Sequence, residues 1–76
     1  MRLVGVVESV HERQFDKGGR IVEVGVRDSD GGRVVRGRFR GLPESLRVGQ
    51  RYEFGVELLN REVDGIWRTY VVMWLI

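Results

Sequence analysis

The sequence predicts an all-β chain: a single domain over residues 1–76, folded as a small five-stranded antiparallel barrel with at most a short helix between the third and fourth strands. Three observations predict it. Apolar and polar residues alternate along most of the chain and valine is abundant, which is the pattern of half-buried strands and not of helices. Gly, Asp and Pro interrupt these stretches at hairpin spacing. The chain has 76 residues and no cysteine, so one core must form without disulfides or a thiolate metal site. Closing the sheet into a barrel removes the exposed edges that so small a sheet tolerates poorly.

The first strand is "LVGVVESV", residues 3–10, where Gly5 marks a bulge or sharp bend. "HERQFDKGG", residues 11–19, ends in two glycines and is expected to be a mobile hairpin loop. The second strand, "RIVEVGVRD" at 20–28, sets Val22, Val24 and Val26 on one face and Ile21, Glu23, Gly25 and Arg27 on the other. "SDGG", residues 29–32, holds Asp30-Gly31, a signal for a two-residue turn with positive φ.

That turn sets the register of strand three, "RVVRGRFR" at 33–40. Val22 then meets Phe39, Val24 meets Gly37 and Val26 meets Val35, apolar against apolar. On the opposite face Glu23 meets Arg38, Gly25 meets Arg36 and Ile21 meets Arg40. A slip of one residue would mix the two faces, so the pattern selects this register. Arg36, Arg38 and Arg40 therefore stand on the outer face, with Glu23 placed to pair with Arg38.

In "GLPESLRVGQ", residues 41–50, Pro43 starts a turn that is helical only over 42–47 and Gly49 closes it. Strand four, 51–59, puts Tyr52, Phe54, Val56 and Leu58 on one face. "NREVDG", residues 60–65, is a hairpin connection of medium length leading to the last strand, 66–76.

The net charge is only +2, yet the basic residues are twelve Arg and a single Lys, Lys17. GC-rich codon usage or heat adaptation raises arginine too, so placement carries more meaning than number. Arginine offers a planar fork to phosphate and stacks on rings and bases. Enzymatic chemistry finds no support. His11 is the single histidine, no Gly-x-Ser-x-Gly or Gly-x-x-x-x-Gly-Lys motif is present, and Glu8, Glu12 and Asp16 match no calcium-loop spacing. The expectation is a protein with no catalytic residue, no metal and no cofactor. The N-terminal apolar run is interrupted at Glu8, and "TYVVMWLI" is far shorter than the roughly 20 residues of a membrane span. An intracellular, cytoplasmic location is expected.

The pattern "VGVVESV…IVEVGVRDSDGGRVVRGRFRG…LRVGQRYEF" resembles the OB-fold domains that bind single-stranded DNA in proteins of the replication protein A and archaeal single-strand-binding type. The resemblance spans nearly the whole chain through a loose set of motifs. It implies binding of single-stranded nucleic acid, DNA or RNA, on the face of strands two and three, rimmed by the loops joining strands one to two and four to five. On this chain that face offers Arg27, Arg36, Arg38 and Arg40, with Arg68 brought close by the final strand. The rims supply Arg13, Phe15 and Lys17 on one side, and Arg61 and Trp67 on the other. The register turns Phe39, the aromatic of strands two and three, inward.

A second function class rests on the last strand. Tyr70, Val72, Trp74 and Ile76 occupy one face and Val71, Met73 and Leu75 the other, so the strand is apolar on both sides. An apolar outer face calls for cover. Tyr70, Val72, Trp74 and Ile76 are therefore the candidate interface of a homo-oligomer or of a small subunit in a complex.

Overall fold

The computed structural model describes all residues, 1–76. Five strands, β1 (Arg2–Gln14), β2 (Arg20–Asp28), β3 (Val34–Phe39), β4 (Arg51–Val63) and β5 (Ile66–Leu75), close into a barrel in the order β1-β2-β3-β5-β4. The only helical residues are a single 3-10 turn, Pro43–Ser45, between β3 and β4. The chain is a closed five-stranded β-barrel compatible with an OB-like fold.

Four of the five pairings are antiparallel, while β3 and β5 run parallel, with Arg38 opposite Val72 and Phe39 opposite Met73. An all-antiparallel barrel was the expectation. A closed ring with an odd number of strands cannot alternate direction all the way round, so one parallel contact is obligatory. It falls between β3 and β5 because the other four pairings are already set by the three hairpins and by the return of β4 along β1.

The β2–β3 register is the expected one: Glu23 faces Arg38, Val24 faces Gly37, Gly25 faces Arg36 and Val26 faces Val35. The turn that sets it is different. Asp28 and Arg33 close a four-residue loop (Asp28 N–H to Arg33 C=O, 2.8 Å), and the left-handed φ falls on Gly32, at 67°. The Asp28 carboxylate accepts the Asp30 N–H at 2.9 Å. This local bond holds the chain in a wider turn, where Gly32 takes the conformation a side chain would resist. The two-residue turn with positive φ at both central residues occurs instead at Asp64 (53°) and Gly65 (78°), where Val63 faces Ile66.

That tight turn also lengthens two strands. β4 runs to Val63 where a loop was expected from residue 60, and β4 and β5 stay in unbroken register from Phe54–Leu75 to Val63–Ile66. Both strands are exposed from Glu57 to Thr69, so the hairpin projects past the barrel as a two-stranded ribbon. β1 likewise continues to Gln14, beyond the residue 10 expected. The bulge of β1 lies between Val7 and Ser9, not at Gly5. Gly5 is where β1 pairs on both sides, with Asp28 of β2 and Tyr52 of β4.

The core is built from inward positions of every strand: Leu3, Val7, Val22, Val24, Val26, Phe39, Phe54, Val56 and Met73. Phe39 meets Phe54 edge-to-face, 6.5 Å between ring centres. Leu46, from the connector, joins this core, and the Tyr52 hydroxyl accepts the Arg47 N–H at 2.9 Å beside it. The connector thus seals one mouth of the barrel.

Candidate nucleic-acid interface

The registers of β1, β2, β3 and β5 lay the outward side chains in rows. Ser9, Gly25 and Arg36 form one row. His11, Glu23, Arg38 and Val72 form the next. Arg13 and Ile21 lie in a third, where the Arg40 N–H donates to the Met73 carbonyl at 2.7 Å and so carries β3 alongside Trp74. Alternation along a strand leaves every second residue on this side, so Arg36, Arg38 and Arg40 share it with Tyr70, Val72 and Trp74 of β5.

The parallel β3–β5 contact brings those two series together. The Arg38 guanidinium lies 4.0 Å above the centre of the Tyr70 ring, and that of Arg40 lies 5.6 Å from the Trp74 ring. Both distances are those of cation–π contacts. Val72, between the two aromatics, is buried at 7 % exposure; Tyr70 and Trp74 are half-buried and Ile76 is exposed. The apolar outer stripe of β5 is therefore covered in good part by the chain's own arginines. Trp74 lies across Gly55 of β4, where a Cβ would run into the indole. A glycine on one strand here makes room for the aromatic on the next.

The carboxylates are spent elsewhere. Glu23 stands opposite Arg38 but bonds Arg13, at 2.9 Å. Glu12 bonds Arg20 at 3.0 Å, Glu8 bonds Arg27, and Glu53 bonds Arg2 at 3.1 Å. The expected Glu23–Arg38 pair is thus replaced by a diagonal one, because Arg38 has the Tyr70 ring to lie on. Arg36, Arg38 and Arg40 have no carboxylate partner, nor do Arg61, Arg68 and Lys17.

Where β3 and β5 diverge, beyond Arg38 and Val72, the outer face sinks into a groove of about 590 Å³. Its walls are Ser9, His11 and Glu23 from β1 and β2, Arg36 and Arg38 from β3, and Thr69, Tyr70 and Val71 from β5. A cation, a stacked guanidinium–ring pair and several hydrogen-bonding groups thus line one open cleft.

The remaining expected residues lie around it. Arg68 is directly opposite Arg61 on the ribbon, on the same face as Tyr70. Trp67, 71 % exposed, is on the other face of the ribbon, the one it shares with Thr69. Phe15 and Lys17 are exposed at the turn joining β1 to β2. Arg27 is at the opposite end of the β2 face from Ile21, tied to Glu8 and to the Gly32 carbonyl at 2.6 Å. Sequence reasoning placed Tyr70 and Trp74 at a protein interface and missed them as neighbours of the arginines. The available signal was the pairing of an "RxRxR" outer series on one strand with a "YxVxW" outer series on the strand beside it.

No family model, curated protein or solved structure matches the chain.

Proposed function

We propose that this barrel is a binding module for single-stranded nucleic acid, working in the manner of the OB domains it resembles. The carrying observation is the arrangement of β3 against β5: three arginines without carboxylate partners on one face, of which Arg36 and Arg38 line an open groove and Arg38 lies over the Tyr70 ring. In this reading Arg36 and Arg40 contact phosphate. Arg38, held over the Tyr70 ring, offers a guanidinium on which a base can stack, since bases stack on guanidinium groups as they do on rings. Arg61 and Arg68 extend the cationic track along the ribbon. Glu23, held by Arg13, limits the negative charge on the face.

The test is a titration of fluorescent single-stranded DNA and RNA at two salt concentrations. Three to five phosphate contacts, at about 0.7 in slope per contact for single strands, predict affinity falling by about 20- to 130-fold between roughly 50 and 200 mM salt. Absence of binding at low salt to any single-stranded or duplex oligonucleotide overturns the reading. The apolar stripe of β5 favours this reading over a protein contact at that strand, because Val72 is already buried within the chain.

A further inference from the structure

The paired register of β2 and β3 ends at Glu23 and Arg38. Past that pair a hollow of about 290 Å³ opens in the outer surface. Arg20 and Ile21 of β2, Arg38 of β3, Arg40 and Gly41 just after it, and Val72 of β5 line it. Arg38 is the wall this hollow shares with the larger groove. The two differ in charge. Glu23 is among the walls of the groove, whereas no acidic residue lines the hollow. Glu23 is bonded to Arg13, and Glu57, opposite Val72 on β4, stands two strand spacings from Arg38, about 10 Å. Glu12 bonds Arg20 through Nη1 at 3.0 Å, which leaves the Nη2 of that guanidinium without a partner. Arg38 and Arg40 lie against Tyr70 and Trp74, and neither donates a side-chain hydrogen bond within the chain. The Gly41 N–H has no acceptor within the chain either. Donors and apolar carbon therefore line the hollow, with no side-chain acceptor among them.

We infer that this hollow seats a terminal phosphate, so that the barrel binds the phosphorylated end of a single strand. The inference rests on the nucleic-acid reading above and adds which part of the strand the site takes. Charge matching selects a monoester. Three guanidinium groups less the one carboxylate of Glu12 leave a local charge of +2. A phosphate monoester carries about −1.5 to −2 at neutral pH and three strong acceptor oxygens. A bridging phosphodiester carries a single charge and would leave one cation unmatched. Guanidinium N–H groups bond phosphate oxygens in pairs, which suits donors arriving from two strands. The position also fixes a direction. With the phosphate between Arg20 and Arg40, the first base meets Arg38 and the chain continues through the groove past Arg36. A 5′-phosphate and a 3′-phosphate offer the same chemistry, and the experiment separates them.

Anisotropy titration with three short oligonucleotides of one sequence and one internal label tests it: a 5′-phosphate, a 3′-phosphate, and hydroxyls at both ends. One phosphorylated strand is expected to bind on the order of ten-fold more tightly than the hydroxyl-ended strand, as one hydrogen bond to a charged group would supply. The other is expected to gain little, and the strand that gains identifies the end. Arg20→Gln combined with Glu12→Gln removes the cation without baring the carboxylate, at two exposed positions. The double variant is expected to cancel the gain and to keep the affinity for the hydroxyl-ended strand. Glu12→Gln alone releases Arg20 and is expected to enlarge the gain; should the double variant fail to fold, a gain no larger than that of the wild type here overturns the inference. Equal affinity for all three strands overturns it and leaves the nucleic-acid reading standing. So does an equal gain from phosphate at either end, or a gain that survives the double variant. Binding of none of the strands at low salt overturns both.

Discussion

Arg38 stacks on Tyr70, with its guanidinium carbon 4.0 Å above the ring centre, although the two residues lie on strands that no hairpin connects. The contact exists because the barrel closes through the parallel β3–β5 pair, which sets Arg38 level with Val72 and so one step from Tyr70. At a half-exposed site it contributes about 0.5–1 kcal/mol to stability. It also holds the Arg38 guanidinium at the wall of the groove.

Arg36→Ala and Arg40→Ala are each expected to weaken binding of single strands about equally for all base sequences and to lower the salt slope by about 0.7 apiece. The triple variant with Arg38 also replaced by Ala should lose the stacked plane as well, and keep only the weaker salt-dependent binding that Arg61 and Arg68 supply. Anisotropy titrations at several salt concentrations check this, and a triple variant that binds as well as wild type would show that the face is wrong.

Arg38→Lys separates stacking from charge. Lysine keeps the cation but has no plane to lay on Tyr70 or against a base. The expected outcome is an unchanged salt slope with affinity lower by about 1–3 kcal/mol, the range of a stacked base. Tyr70→Ala should give the same signature. Trp67→Ala should do so only with oligonucleotides long enough to reach the ribbon, because Trp67 lies beyond the groove's walls.

Glu23→Ala is expected to strengthen binding, since it removes the carboxylate from the groove and frees Arg13. Arg13→Ala should cost less than Arg36→Ala or Arg40→Ala, because its charge is already partly neutralised. Surface pairs of this kind are worth about 0–1 kcal/mol, so thermal stability should scarcely move in either variant. Weaker binding by Glu23→Ala would contradict the assignment.

Gly55→Val is expected to displace the Trp74 indole, which occupies the space a side chain would need. Overpacking of this kind costs about 1–3 kcal/mol, and each kcal/mol lowers the melting temperature by about 4–8 °C in a domain of this size. Tryptophan fluorescence should shift to the red as the indole meets water. A melting curve and emission spectrum identical to wild type would show that Trp74 does not depend on that glycine.

Leu46→Ala should be the most damaging substitution outside the strands. Leu46 is 6 % exposed and seals the barrel mouth. Burial of a leucine at such a site is worth about 2–5 kcal/mol, against a total of about 4–11 kcal/mol expected for a chain of this length. Denaturant unfolding measures it directly.

Much of this was legible beforehand. Valines at every second position of β2, facing apolar partners on β3, determine that register on their own, because a slip of one residue would bury arginine and expose valine. The outward direction of Arg36, Arg38 and Arg40 and the burial of Phe39 follow from the same local alternation, and the brevity of the helical turn follows from Pro43 at its start and Gly49 after it. Asp-Gly was ambiguous because the dipeptide occurs twice. At Asp30-Gly31 the Asp28 side chain caps a wider loop, while at Asp64-Gly65 no such competitor intervenes and the tight turn forms, extending both strands into the ribbon.

What tertiary structure alone decided is which outer faces become neighbours. Alternation tells each strand which side is wet, but carries no information on what stands across a non-hairpin contact. The five-membered ring had to accept one parallel pair, and its placement put the arginines of β3 beside the aromatics of β5. Arg38 then took the Tyr70 ring and Glu23 took Arg13, because a side chain's partner is set by three-dimensional reach and not by register alone.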